Sequence, residues 1–135
     1  MTVEEIDILI RDLCGRLAAS TMICINGEDQ LLDSVIYDDG WYVNFVGDNK
    51  EGYSPFYNDV KPYLFPLSSM TEEQKVEFDK VAELDIEYTI TQIKNDSPIW
   101  TSGLNRFNWL IKNHFDVYGL IPMGLALDAT NLNIY

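Results

Sequence analysis

Positive charge is scarce in this chain. Nine Lys and Arg stand against 22 Asp and Glu in 135 residues, a formal net charge of −13. Such a surface repels phosphate, which argues against direct nucleic-acid binding. Histidine occurs once, as His114, so a His-rich metal centre is excluded. Cys14 and Cys24 are the only cysteines, and their spacing matches neither a zinc pattern nor a disulfide framework. Each has apolar neighbours, so buried free thiols are expected. No apolar run approaches the ~18 residues of a membrane span. Met1-Thr2-Val3-Glu4-Glu5 offers no basic leader, and the expected location is cytoplasmic. Gly47, Gly52, Gly119 and Gly124 compose no phosphate-binding loop, and the chain holds no repeat, low-complexity stretch or linker.

What is present is the material of a core. A 47% hydrophobic and 13% aromatic composition belongs to a folded protein, and 135 residues suit one domain spanning 1–135. Thr2 and Glu5 form a capping box ahead of Val3, Ile6, Leu9, Ile10, Leu13 and Leu17, whose three- and four-residue steps predict an amphipathic helix over 3–17. Strands are expected at 21–25, 31–37 and 41–46. They are joined by two-residue turns at Asn26-Gly27 and Asp39-Gly40. In the third, Trp41, Val43 and Phe45 share one face, and Tyr42, Asn44 and Val46 share the other. A fourth strand is expected at 56–60, before Pro62. Pro62 and Pro66 exclude helix interior up to Ser68 and favour extended geometry at Lys61 and Phe65.

Thr71 and Gln74 make a second capping box, with Glu72 and Glu73 in the first turn of a helix expected to run to about 83. Over 84–93 the strand and helix periods compete, and β-branched content favours a strand. Ser102 is the expected cap of a final helix over about 103–113, with Leu104, Phe107, Leu110 and Ile111 inward. The tail 115–135 lacks regular period but carries Leu120, Ile121, Leu125, Leu127, Leu132 and Ile134, so it is expected to be packed. The fold class is α+β: an N-terminal helix, a curled antiparallel meander approaching a barrel, one or two further helices, and an irregular packed tail.

Chemistry-bearing patterns are few. His114 and Asp116 supply a base and a carboxylate, but no nucleophile stands with them, and a histidine at a helix C-terminus is the simpler reading. Asp38-Asp39-Gly40 and Asp48-Asn49-Lys50-Glu51-Gly52 lack the alternating ligands of a calcium loop and read as turns. No metal and no cofactor is expected. The acidic residues do cluster in sequence. Glu28, Asp29, Asp33, Asp38, Asp39, Asp48, Glu51 and Asp59 face Lys50 alone. The simpler reading of this charge is solubility; the sharper one makes Asp38, Asp39, Asp48 and Glu51 a candidate acidic interaction face, whose partner would be a protein with a basic surface.

Three blocks carry a family resemblance. They are Asp12-Leu13-Cys14-Gly15-Arg16-Leu17, the stretch 60–74 containing Pro62, Pro66 and Thr71, and His114-Phe115-Asp116 with Gly119-Leu120-Ile121 and Gly124-Leu125-Ala126-Leu127-Asp128-Ala129. Together they resemble small uncharacterised proteins of phages and integrated mobile elements of gut Bacteroidales. The resemblance implies a bacterial cytoplasm and no activity. The expected function is that of a non-catalytic protein-interaction module. The alternatives are an acidic inhibitor masking a basic nucleic-acid-binding surface of a host protein, and a small enzyme using His114 and Asp116.

Overall fold

The computed structural model describes residues 1–48, 52–81, 94–95 and 105–135. Helix α1 (Val3–Gly15) is followed by strands β1 (Met22–Ile25), β2 (Glu28–Tyr37), β3 (Trp41–Phe45) and β4 (Val60–Leu64). A 3-10 turn (Leu67–Ser69) leads to helix α2, whose described part covers 72–81. Helix α3 (Asn105–Lys112) and the short strand β5 (Leu127–Asp128) complete the order. The expected strand over 84–93, the Ser102 cap and Leu104 lie outside the described residues.

The sheet runs β3-β2-β1-β4-β5, antiparallel except for the β4–β5 pair. It is open, with β3 and β5 at its ends, so the meander does not close toward a barrel. Sequential turns place β1, β2 and β3 side by side. The chain then returns to the other side of β1, which spends both edges of β1 without joining the sheet's ends.

Asn26 and Gly27, both at positive φ (51° and 87°), make the tight turn that their sequence demands. The fourth strand differs from expectation. Residues 55–57 form a turn, and the proline-bearing segment itself is the strand, placed inside the sheet between β1 and β5. Asn26 N–H donates to Asp59 O at 2.8 Å, which fixes the hydrogen-bonding phase of the β1–β4 ladder. Counting inward, Ile23–Pro62 falls on a pair that exchanges no hydrogen bonds. The missing N–H of Pro62 would point toward β5, whose pairing begins only opposite Tyr63. Proline is tolerated because the ladder asks nothing of it there.

Helix α1 starts as read: Glu5 N–H donates to Thr2 Oγ1 at 3.1 Å, and Thr2 N–H donates to Glu5 Oε2 at 2.8 Å. Its Ile6, Leu9, Ile10 and Leu13 form one core with Ile23, Ile25, Leu32, Val43, Val60 and Leu64 of the sheet. Leu120, Leu125 and Ala126 of the tail belong to the same cluster. The tail is thus core, although Leu132 is exposed and Ile134 half-buried. Cys14 is exposed and Cys24 half-buried, contrary to expectation. Cys14 follows Leu13, and the ~100° step of a helix carries it off the buried face.

Where α1 ends, two charges are wholly buried. Arg16 and Asp12 are both 0% exposed and pair bidentately, Nε to Oδ2 at 2.7 Å and Nη2 to Oδ1 at 2.9 Å. Arg16 Nη2 also donates to Phe115 O at 2.6 Å, tying the first helix to the tail. Burial pushes the Asp12 carboxyl up, Arg16 pulls it back only in part, and nearby Asp116 adds to the rise.

The second capping box is present. Gln74 N–H donates to Thr71 Oγ1 at 3.1 Å, and Thr71 N–H donates to Gln74 Oε1 at 2.9 Å. Thr71→Ala should lower the denaturant midpoint by an amount worth ~1 kcal/mol. A midpoint equal to the parent would show that the cap contributes nothing. For the buried pair, Arg16→Ala alone should cost about 3–5 kcal/mol, because it strands the Asp12 charge. The double change Arg16→Met with Asp12→Leu should cost clearly less. Urea titration of both variants decides, and equal losses would mean that packing rather than charge explains them.

Candidate interaction surface

The candidate acidic face sits on the β2–β3 hairpin. Tyr37 and Trp41 are paired across the ladder, and their rings meet edge to face at 5.0 Å. That aromatic closing pair leaves a three-residue connection, Asp38-Asp39-Gly40, where the sequence predicts a two-residue turn. Asp38 N–H donates to Gly40 O at 2.9 Å, and Asp39 takes φ 53°, a left-handed conformation that Asp tolerates. Asp38 and Asp39 therefore project from the tip, both exposed. Beside them Ile36 is 43% and Tyr37 66% exposed. Ile36 and Tyr37 are consecutive strand residues on opposite faces, so each face of the tip carries one exposed apolar side chain beside the two carboxylates.

Asp48, also a member of the candidate face, is not at the tip. Asp48 follows the far end of β3, its N–H donating to Phe45 O at 3.2 Å, and it is half-buried. Five strand residues at ~3.4 Å each put it roughly 17 Å from the tip. Glu51 lies outside the described residues. Sequence clustering thus resolves into separate ends of one hairpin. Spacing along a chain does not give spacing in space once a strand intervenes.

His114 and Asp116 have other duties. Asp116 is buried, and its Oδ1 and Oδ2 accept from Leu120 N–H at 2.8 Å and Ile121 N–H at 2.9 Å. Its carboxylate organises the tail. His114 ends α3 at φ 63°, with its N–H donating to Ile111 O at 3.0 Å and Phe115 N–H donating to Leu110 O at 2.9 Å. This is a Schellman motif with His114 at the left-handed position. Its ring stacks on Tyr135 at 3.5 Å and 6°. Burial and the Arg16 guanidinium lower its pKa to about 4. The charge a helix C-terminus would favour is therefore not carried at neutral pH. Among the described residues no group of three or more His, Cys, Asp or Glu is placed to hold a metal ion.

Sequence reasoning missed the pair Arg16 and Asp12. The available signal was an Asp and an Arg four residues apart, with Asp12 beside Leu9 and Leu13 on the apolar face of a helix. It missed Tyr135 too. The Tyr135 hydroxyl accepts from Met22 N–H at 2.9 Å and donates to Tyr63 O at 2.8 Å. Met22–Tyr63 is the next pair in the β1–β4 register, so a side chain stands in for a rung of the ladder.

No family model matches the chain, and neither do the curated proteins or the solved structures with which it was compared. No helix among the described residues is long and apolar enough to cross a membrane.

The His114 environment sets a pH dependence. The unfolded chain takes up a proton near the ordinary value of 6.5, whereas the folded chain resists until about 4. The unfolded state then binds more protons in that window, so stability should fall as pH drops from 6.5 toward 4. His114→Asn keeps a residue suited to the left-handed position and removes the titration. Its denaturation midpoint should decline less between pH 6.5 and 5 than the parent's. Parallel declines would show that His114 titrates alike in both states.

Proposed function

We propose that this protein is a non-catalytic interaction module, docking the tip of its β2–β3 hairpin against a basic surface of a partner protein. The observation that supports this reading is the placement of exposed Ile36 and Tyr37 directly beside the exposed carboxylates of Asp38 and Asp39. Interfaces combine aromatic anchors with a charged or polar rim. A net charge of −13 steers the chain toward positive partners and away from phosphate. The resemblance of its three blocks to small proteins of Bacteroidales phages and mobile elements suggests a bacterial cytoplasm as the setting.

A second reading rests on the same charge: an acidic inhibitor that covers a nucleic-acid-binding surface of a host protein. The two readings part on competition. An inhibitor loses its partner to added DNA or RNA, and a module that binds elsewhere does not. The enzyme reading lacks support, because both carboxylate oxygens of Asp116 are committed to backbone amides.

The test begins with a partner captured from a Bacteroidales host by the tagged protein. Its association rate should fall steeply with salt, and Asp38→Asn with Asp39→Asn should slow association roughly three- to tenfold at low salt. Tyr37→Ser should act mainly on dissociation. The double Asp→Asn variant should unfold at the parent's denaturant midpoint, whereas Tyr37→Ser should lose roughly 0.5–1.5 kcal/mol with the ring contact to Trp41 and still fold. A partner indifferent to salt and to all three substitutions would reduce the charge to a solubility feature.

A further inference from the structure

We propose that the cleft between the Asn26-Gly27 turn and the β3 edge binds an alkylammonium group, the side chain of a lysine on a partner protein. The cleft measures about 200 Å³ and is lined by Ile25, Asn26, Glu28, Gln30, Phe45 and Tyr53. It lies near the end of β3 away from the hairpin tip, so it goes beyond the hairpin reading and does not rest on it.

The cleft is built by the backbone. Gly52 has φ 97°, and a Cβ there would meet Asn44 Oδ1 at 2.9 Å and Tyr42 Cβ at 3.0 Å. Only glycine lets the chain lie this close to β3. Tyr53 then exchanges both hydrogen bonds with Val43 at 2.9 Å, which sets its ring beside Phe45 at 5.9 Å and 26°. Phe45 and Tyr53 pack on the core yet stay half-buried, leaving aromatic surface at the cleft.

The lining selects the ligand. Ligand pockets usually run ~300–1,000 Å³, so this cleft suits the end of one side chain rather than a metabolite. Asn26 is already committed to Asn58 and Asp59 through its side chain. Glu28 is exposed and forms no ion pair among the described residues. Two aromatic rings with one carboxylate favour a cation with an apolar stem, through ring attraction and charge together. An anion would meet Glu28 and the field of a chain carrying −13.

The test uses n-butylammonium as the lysine mimic and n-butanol as its neutral counterpart, at constant ionic strength, with amide shifts of the whole protein as readout. The ammonium should give saturable shifts centred on Ile25, Asn26, Glu28, Gln30, Phe45 and Tyr53, and butanol should not reproduce them. Glu28→Gln, an exposed change, should weaken the apparent affinity about fivefold or more, as should Tyr53→Leu, which keeps apolar bulk without the ring. The Asp38→Asn, Asp39→Asn variant should bind like the parent, so failure at the hairpin tip and failure here remain separate results. Shifts equal in butanol, shifts that do not saturate, or undiminished affinity in Glu28→Gln would each overturn the proposal. Should Tyr53→Leu fail to fold, the Glu28→Gln comparison decides alone.

Discussion

The Arg16–Asp12 pair with Phe115 O is the constraint on which the arrangement depends. A guanidinium and a carboxylate with no exposed surface carry a heavy desolvation cost, which bidentate geometry and one further hydrogen bond offset only in part. That balance makes position critical. If the tail moved, Arg16 would lose its carbonyl partner in a place water does not reach. The pair therefore fixes where residues near 115 must lie relative to the end of α1. It joins parts of the chain 99 residues apart.

From that point aromatic contacts carry the packing outward. Phe115 stacks with Trp109 at 5.9 Å, and Trp109 meets Phe78 of α2 at 5.5 Å. On the other side Phe65 lies 6.3 Å from Phe115 and 5.9 Å from Tyr135, whose ring covers His114. Two helices, the residue that follows β4 and the tail thus share one run of rings. Tyr135 ends it by bridging Met22 and Tyr63 where the ladder stops. Aromatic groups suit this work because each buries much area with few rotamers to fix.

The two surfaces proposed for binding lie away from this centre, at the two ends of the β2–β3 hairpin. One end exposes Ile36, Tyr37, Asp38 and Asp39, and the other holds the cleft beside Phe45 and Tyr53. The three sequence blocks at 12–17, 60–74 and 114–129 meanwhile coincide with structural parts: the buried pair, the β4 strand with the capping box that follows it, and the Schellman turn with Asp116. Residues within those blocks hold the chain together, and the exposed hairpin tip lies outside all three.

By itself the sequence determined what is local. Both capping boxes, the Asn26-Gly27 turn, the two-faced pattern of β3 and the burial of the tail follow from residues within a few positions of one another, or from apolar content alone. Only the tertiary structure decided the rest. Pro62 looked like a boundary because proline lacks a donor. The register with β1 and the late start of β5 made it an interior strand residue. Asp38, Asp39 and Asp48 looked like one face because they are close in the chain, and a strand's length separated them. His114 and Asp116 left an acid–base reading open beside the simpler one of a histidine packed at a helix C-terminus. Two backbone amides and a buried guanidinium, brought in by folding, turned them to structural use. Local rules speak through neighbouring dihedrals and hydrogen bonds. Desolvation, register and long-range charge depend on partners that only the folded chain assembles.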